Sequence, residues 1–110
     1  MPEEIIIAYL SGILDVPVAA EVPEEMPQRF VTVERTGSQT VNRVYTATMA
    51  VQSWGLTMLD AARLNEQVKA AMDGIVQRPD VMRCHLNSDY NFTDTGTHRY
   101  RYQAVFDMVF

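Results

Sequence analysis

The sequence is poor in several features that define whole classes of protein. Its 110 residues include one cysteine, Cys84, which excludes an internal disulfide and suits a reducing compartment. Five prolines and five glycines are too few for a low-complexity segment, and no apolar run approaches the roughly 20 residues that cross a bilayer. We therefore expect one globular domain over residues 1–110 and no membrane partner.

Positive charge is missing from the first quarter of the chain. Residues 1–28 hold six acidic side chains and no lysine or arginine, whereas the remainder carries eight acids and nine bases, for a formal net charge of −5. A protein that grips nucleic acid through its phosphates needs a basic stripe instead, so sequence-specific DNA binding is not expected. Lys69 is the sole lysine, and the other basic residues are arginines, which suit planar contacts between proteins.

Two segments of the sequence are predicted to be helices. Residues 3–14 open with two glutamates that complement the positive end of a helix dipole, and apolar side chains recur there at helical spacing. The second helix runs from Thr57 to about residue 73. Thr57 and Asp60 match a capping box, and Gly74 can close the last turn.

Three extended segments separate these helices. Residues 16–22 form a short strand, in which a proline favours the edge of a sheet. Residues 29–35 and 43–54 follow as two longer strands, and the second alternates apolar and polar side chains as a half-buried strand does. Residues 36–42, between these two strands, are predicted to form an exposed polar loop.

The last third of the chain is predicted to be a β-hairpin. Apolar residues occupy the even positions of both 82–92 and 98–110, so a three-residue turn at Asp94–Gly96 keeps them on one face. This register sets Tyr90 opposite Tyr100 and Cys84 opposite Phe106. It also places opposite charges together in two pairs, Arg83 with Asp107 and Asp89 with Arg101.

These elements follow one another in the order α-β-β-β-α-β-β. That order predicts an α+β domain, in which a mainly antiparallel sheet of about four to five strands carries two helices on one face. No internal repeat or domain boundary interrupts the pattern.

The sequence contains no group of residues that predicts catalysis. Cys84 falls on the apolar face of its strand and His85 on the opposite face, so they do not form a nucleophile and its base. No spacing matches a zinc site or a phosphate loop, and we predict no catalytic, cofactor-binding or metal-binding residue. An alternative of a different class is a small-molecule-binding or hydrolytic α+β domain that uses Asp94, His98 and Arg99.

Four stretches of the chain resemble, in matching order, the tail terminator proteins of long-tailed phages and prophages. They are "VPEEMPQRFVTVERTGS" (22–38), "MAVQSWG" (49–55), "TMLDAARLNEQVKAAMDGI" (57–75) and "HRYRYQAVFDMVF" (98–110). In that family a proline-flanked strand follows a helix and a short strand, and a tryptophan-containing strand leads into an alanine-rich helix. The glycine-rich turn that is usual after "ERTG" is replaced here by "SQTVN".

The resemblance implies a structural task rather than a reaction. Tail terminators cap the head-proximal end of the tail tube, stop its polymerisation and present a surface to the head connector. They act as rings, commonly hexamers, around the channel through which DNA passes without specific binding. The implied partners are further copies of the chain, the tail tube protein and the head connector. The implied location is the virion, after assembly in the host cytoplasm, and another head–tail connector or neck protein of similar fold is the alternative within this class.

A ring of this kind needs two different patches that fit each other on neighbouring copies. The predicted loop and the arginines around it could form one patch, and the acidic first quarter of the chain could form the other. The expected interface residues are Arg29, Arg35, Thr36, Gly37, Ser38, Gln39 and Arg43 on the basic side, and Glu24 and Glu25 on the acidic side. The acidic balance also suits a channel through which DNA must slide.

Overall fold

The computed structural model describes residues 1–93, 96 and 99–110. Within them lie two α-helices and a five-stranded sheet, in the predicted order α-β-β-β-α-β-β. The elements are α1 (Pro2–Ser11), β1 (Val18–Ala19), β2 (Phe30–Val41), β3 (Val44–Gly55), α2 (Met58–Met72), β4 (Arg83–Asn91) and β5 (Tyr100–Val109), with a 3-10 turn at Ile75–Gln77 before β4. The sheet order is β1-β2-β3-β5-β4; β1 and β2 are parallel and the other neighbours antiparallel. The predicted α+β class is confirmed.

The hydrophobic core lies between the two helices and one face of the sheet. α1 contributes Ile6 and Leu10 and α2 contributes Leu64 and Val68, all with fully buried side chains. They pack against alternate residues of the central strands, namely Val31, Val33, Ala47, Met49, Val51, Ala104, Phe106 and Met108. Burial of an aliphatic side chain of this size contributes about 1.5–3 kcal/mol, so this helix-covered face is the main source of stability.

α2 begins as its sequence predicts. The Thr57 hydroxyl accepts a hydrogen bond from the Asp60 N–H at 3.1 Å, which is the expected cap. Gly55 allows the strand to pass close to the helix start, because a side chain there would come within 2.8 Å of the Ala61 nitrogen. The far end differs from the prediction. Gly74 has a φ of −91° and leads into the 3-10 turn, so a left-handed glycine does not close the helix.

The prediction of a loop at residues 36–42 is wrong. β2 continues through these residues to Val41, and β3 begins at Val44. Asn42 and Arg43 alone make the turn, with φ values of 51° and 64°, which is the left-handed geometry that tight hairpins adopt and that Asn tolerates. Threonine and valine favour strands even when exposed, so the polar stretch pairs with β3 instead of looping out. The hairpin makes the molecule 44 Å long and only 25 Å wide.

The β4–β5 hairpin forms, but its predicted register is wrong. Cys84 lies opposite Met108 rather than Phe106, a shift of two residues. A bulge between Leu86 and Ser88 then shifts the pairing by one residue more. The predicted charge pairs are therefore absent from the ladder: Arg83 lies opposite Val109, and Asp89 lies opposite Ala104. Asp94 and Thr95 of the predicted turn lie outside the described residues.

The bulge in β4 also reverses which side chains face the helices. Before it, Cys84 packs against the core, as predicted, and burial raises the pKa of its thiol to about 11. After it, Asp89 faces α2, where it accepts hydrogen bonds from Asn65 at 2.9 Å and Lys69 at 2.8 Å. Tyr90, expected on the apolar face, lies on the opposite one. One extra residue in a strand has this effect because side chains alternate strictly between faces.

Candidate functional site

The face of the sheet opposite the helices is uncovered in the part of the chain that the structure describes, yet its centre is buried. Thr32, Gln52, Gln103 and Tyr90 lie directly opposite one another on β2, β3, β5 and β4. We call these four residues the polar row. Thr32 and Gln52 are 4% and 5% exposed and Gln103 is 8% exposed, although no helix covers them. Their side chains must therefore satisfy one another.

Hydrogen bonds connect the polar row from one side of the sheet to the other. The Thr32 hydroxyl donates to Oε1 of Gln52 at 2.7 Å, and Nε2 of Gln52 donates to Oε1 of Gln103 at 2.7 Å. Nε2 of Gln103 then donates to the Tyr90 hydroxyl at 2.5 Å. Nε2 of Gln52 also donates to a carboxylate oxygen of Glu34 at 3.2 Å. A buried amide without a partner costs about 1–3 kcal/mol, so this connected row is what makes a polar face stable here.

A second row of side chains, made of aromatic rings and a guanidinium group, runs alongside the polar row across the same four strands. The Trp54 indole donates to the Thr32 hydroxyl at 3.1 Å and stacks on Phe30, with ring centroids 5.2 Å apart. The Arg101 guanidinium lies 4.7 Å from the Trp54 ring centroid and 4.4 Å from that of Phe92. The Arg101 guanidinium thus lies against two aromatic rings and does not extend into solvent, as a phosphate-binding group would.

The residues expected to form the interface are exposed on the hairpin, but they form a strand edge and not a loop. Thr36, Gly37, Ser38 and Gln39 are all exposed along β2, and Arg43 is exposed at the turn. This places five of the expected residues along one accessible ribbon.

Arg35 is held by its own chain. Its Nε lies 3.4 Å from a carboxylate oxygen of Glu3 on α1, and its Nη1 donates to the Tyr45 hydroxyl at 2.5 Å. Hydrogen bonds from Ser38 and from Arg35 lower the pKa of Tyr45. These contacts fix the base of the hairpin against α1, so the hairpin extends in a defined direction.

The expected basic patch is not a single surface. Arg29 precedes β2 and Arg43 follows it, and a 12-residue strand separates its two ends by roughly 40 Å. Arg29 is half-buried, whereas Glu24 and Glu25 are exposed in the connector before β2. The structure therefore places Arg29 and Arg43 at opposite ends of β2, with Arg35 between them.

A concavity of about 770 Å³ lies on the uncovered face at the hairpin end of the sheet. Gln39, Thr48, His85 and Asp107 are among the residues that line it, one from each of β2, β3, β4 and β5. The Asp107 carboxylate accepts hydrogen bonds from Thr48 at 3.4 Å and from Asn87 at 2.9 Å. Among the described residues, no group of three or more His, Cys, Asp or Glu side chains could hold a metal ion.

The residues of the hydrolytic alternative are only partly within the described residues. Asp94 and His98 lie outside them. The Arg99 guanidinium donates to the main-chain oxygens of Pro27 and Gln28, the latter at 2.9 Å, and lies 5.7 Å from the Phe30 ring centroid. Arg99 thus ties β5 to the connector before β2.

Comparison with known proteins shows a likeness in fold. No protein-family model matches the chain, and a search of curated proteins finds no match. Among solved structures, a chain of the "Virion of native gene transfer agent (GTA) particle" superposes with a TM-score of 0.58 at 14% identity, covering 94% of this chain and 82% of that one. The likeness is one of fold. In residues 1–93, 96 and 99–110, no helix is long and apolar enough to cross a membrane.

Sequence reasoning missed the polar row. Its members stand at alternating polar positions, which by themselves predict only a solvent-exposed face. The available signal was the presence of long amide side chains inside two predicted strands, at Gln52 and Gln103. Without the register between β3 and β5, these two amides cannot be placed together.

Proposed function

We propose that the chain is a non-enzymatic structural component of a phage-like particle, and specifically a tail terminator. In this role it caps the head-proximal end of the tail tube, stops tube polymerisation and joins the tail to the head connector. The observation that carries the proposal is the shared fold with a chain of a gene transfer agent virion over 94% of the sequence. The four sequence stretches that resemble tail terminators, in matching order, support the finer assignment.

The proposed working form is a ring of copies, commonly six in the resembling family. The exposed ribbon of Thr36 to Gln39 and the turn at Arg43 project from the domain, where they are free to contact a neighbour. The exposed Glu24 and Glu25 lie beyond the opposite end of β2 and supply the charge of opposite sign. A patch that meets a different patch on the next copy generates a ring when the rotation closes.

The uncovered sheet face is the best candidate for the wall of the DNA channel. The polar row on this face has its amides engaged, and Arg101 is stacked between aromatic rings. DNA binding through phosphates requires several accessible lysine or arginine side chains. A face whose amides and charged side chains are engaged with one another would let DNA pass without holding it.

A second candidate function rests on the same match. The virion chain has this fold, and a connector or neck protein of the same particle would also satisfy the observation. The two functions differ in their partner: a terminator binds the end of a tail tube, whereas a neck protein binds the head side alone.

The test is to add the purified chain to tail tube subunits while they polymerise. A terminator is expected to form caps at one end of each tube in negative-stain images and to stop growth when added in excess. Tubes that continue to grow at the same rate, with no cap at either end, would contradict the terminator assignment. Binding of the chain to connector rings but not to tubes would favour the neck protein instead.

A further inference from the structure

Two edges of the described sheet are open along most of their length. β1 pairs with β2 only at Val31 and Thr32, so the outer edge of β2 is open from about residue 34 to Val41. β4 is the last strand in the sheet order, and its outer edge is open over Arg83–Asn91. Long open edges pair readily with another strand unless the protein protects them.

The main-chain groups that β2 directs outward can be assigned from its hydrogen bonds. The Val31 N–H donates at 2.9 Å towards the β1 side, so every second residue from Val31 points away from β3. This series reaches Arg35. The bulge that follows Arg35 shifts it, so Ser38 and Thr40 are the next outward residues.

The same reasoning applies to β4. The Phe92 N–H donates to the Arg101 carbonyl on β5 at 2.8 Å, so every second residue before Phe92 points towards β5. Asp89 therefore points outward. The bulge that follows Leu86 shifts the series, so Leu86 and Cys84 are the next outward residues.

The two open edges match each other when they run antiparallel. On each strand, the first two outward residues are three positions apart and the next two are two positions apart. The spacings agree because each strand has one bulge, at the corresponding place. The facing residues in this arrangement are Arg35 with Asp89, Ser38 with Leu86, and Thr40 with Cys84. Since β2 and β4 run in opposite directions within one sheet, copies related by rotation about an axis along the strands present them to each other antiparallel.

We propose that β4 of one copy pairs with β2 of the next in this antiparallel register, so that neighbouring sheets join into one continuous β-surface. The proposal rests on the ring proposed above and identifies how its copies are joined. The bond-forming groups would be the outward N–H and C=O groups of the facing residues beyond the β1 pairing, which have no partner among the described residues of a single copy.

Side chains in this register support the pairing on both faces of the sheet. On the helix-covered face, Arg35 of one copy lies opposite Asp89 of the next, so the Arg35–Glu3 ion pair of one copy and the Lys69–Asp89 pair of the next become neighbours with opposite charges facing. On the uncovered face, Glu34 lies opposite Tyr90. The Tyr90 hydroxyl accepts from Gln103 within its own chain, and its proton has no acceptor among the described residues there. Neither side-chain pair was used to choose the register.

The test is a disulfide between Cys84 and a cysteine introduced by Thr40→Cys. Facing residues of a hydrogen-bonded antiparallel pair have Cα atoms about 5.5 Å apart, which is within disulfide range. Within one chain the two positions are separated by β3 and β5, or roughly 14 Å, so no disulfide can form inside a copy. An oxidation catalyst is required, because burial raises the pKa of the Cys84 thiol to about 11 and leaves little thiolate at neutral pH.

The expected result for the concentrated T40C chain is a ladder of dimers, trimers and larger species on a non-reducing gel, which collapses to monomer on reduction. Gln39→Cys is the matched control, since its thiol lies one residue away on the other face of the sheet and should give no ladder. The double variant T40C/C84A should also give none. Circular dichroism melting of each variant checks that the fold is kept.

Each outcome decides the proposal. A ladder with T40C alone supports the edge pairing in the stated register. Assembly of the chain by light scattering, without a T40C ladder, overturns the edge pairing and leaves the ring proposal intact. Equal ladders from T40C and Gln39→Cys would show contact without register and also overturn it. If the chain gives no ladder and does not assemble at any concentration, the edge pairing is overturned and the result counts against the ring itself.

Discussion

The two faces of this sheet are built from the same strands but are held together by different interactions. The helix-covered face is apolar, and residues such as Val33, Met49 and Phe106 are buried there beneath α1 and α2. The uncovered face buries Gln52 and Gln103 without a covering helix in the described part of the chain, because hydrogen bonds and aromatic stacking replace a covering layer. A sheet can thus keep one face ordered and polar while the other supplies the hydrophobic stability.

The largest expected effect comes from breaking the helix-covered face. Leu64→Asp places a carboxylate where the wild-type side chain is fully buried. The free-energy cost of burying an unpaired charge exceeds the free energy of unfolding of a small domain. The variant should lack a cooperative thermal transition by circular dichroism. Gln67→Asp, on the exposed side of α2, should melt like the wild type. A soluble L64D chain that melts cooperatively would show that this face does not form the core.

A smaller effect is expected from breaking the uncovered face. Gln52→Leu keeps the side-chain size but removes the partner of Thr32 and of Gln103, which should lower the free energy of unfolding by about 1–3 kcal/mol in urea titrations. The double variant Q52L/Q103L removes both amides of a hydrogen-bonded pair and leaves neither without its partner. Its loss in free energy of unfolding should therefore be less than the sum of the losses of the two single variants. Fully additive losses would mean that the two amides do not act as a connected row.

The strand segment after the β4 bulge allows a test through pH. The hydrogen bond from Lys69 holds the pKa of the Asp89 carboxyl below its ordinary value of 3.8, helped by one from Asn65. Such a group adds stability above its unfolded pKa, and this contribution is lost as pH falls through the lower, folded pKa. Asp89→Asn should therefore cost at most about 1 kcal/mol at neutral pH, since the pair is exposed. In unfolding titrations, the deficit should begin to shrink as the pH falls below 3.8 and should disappear once the pH is below the folded pKa.

The matched control for Asp89→Asn is Glu25→Gln, which neutralises an exposed carboxylate that has no ion pair among the described residues. It should show no deficit at either pH. A deficit of D89N that persists unchanged in acid would mean that Asp89 contributes through packing and not through its charge.

The smallest effect on stability, and a large one on assembly, is expected at the hairpin. The double variant Arg35→Glu/Arg43→Glu replaces the Arg35–Glu3 ion pair with like charges but leaves the core unchanged, so it should melt only a few degrees below the wild type, because ion pairs near the surface contribute little. It should nevertheless fail to cap tail tubes in negative-stain images. Arg63→Glu, on the exposed side of α2, is the control and should cap normally. Normal capping by this variant would show that the hairpin is not part of the interface.

Much of the fold could be predicted because it depends on local signals. The capping residues Thr57 and Asp60 lie within one turn and do not need a partner strand. The alternation along β3 likewise identifies a strand without its neighbours. These signals gave the class and order of elements.

What could not be predicted depends on contacts between distant segments. The bulge after Leu86 adds one residue to β4, and nothing in the local sequence distinguishes it from regular alternation. The predicted register gained false support from two pairs of opposite charges, whereas Asp89 binds Lys69 and Asn65 of α2 instead. The prediction of an exposed loop fails for the same reason, because residues 36–41 are polar and become a strand only through pairing with β3.

Within the polar row, the three hydrogen bonds that join its members all point the same way, although Gln52 also donates back to Glu34 on β2. Thr32 donates to Gln52, Gln52 donates to Gln103, and Gln103 donates to Tyr90. The donors of these three bonds therefore all point from the β2 side towards β4. One flank of the molecule therefore ends in a hydroxyl proton, and the other begins beside the carboxylate of Glu34. Flanks that differ in this way fit best head to tail, which disfavours a symmetric back-to-back dimer and favours an arc that keeps one rotational sense as it grows.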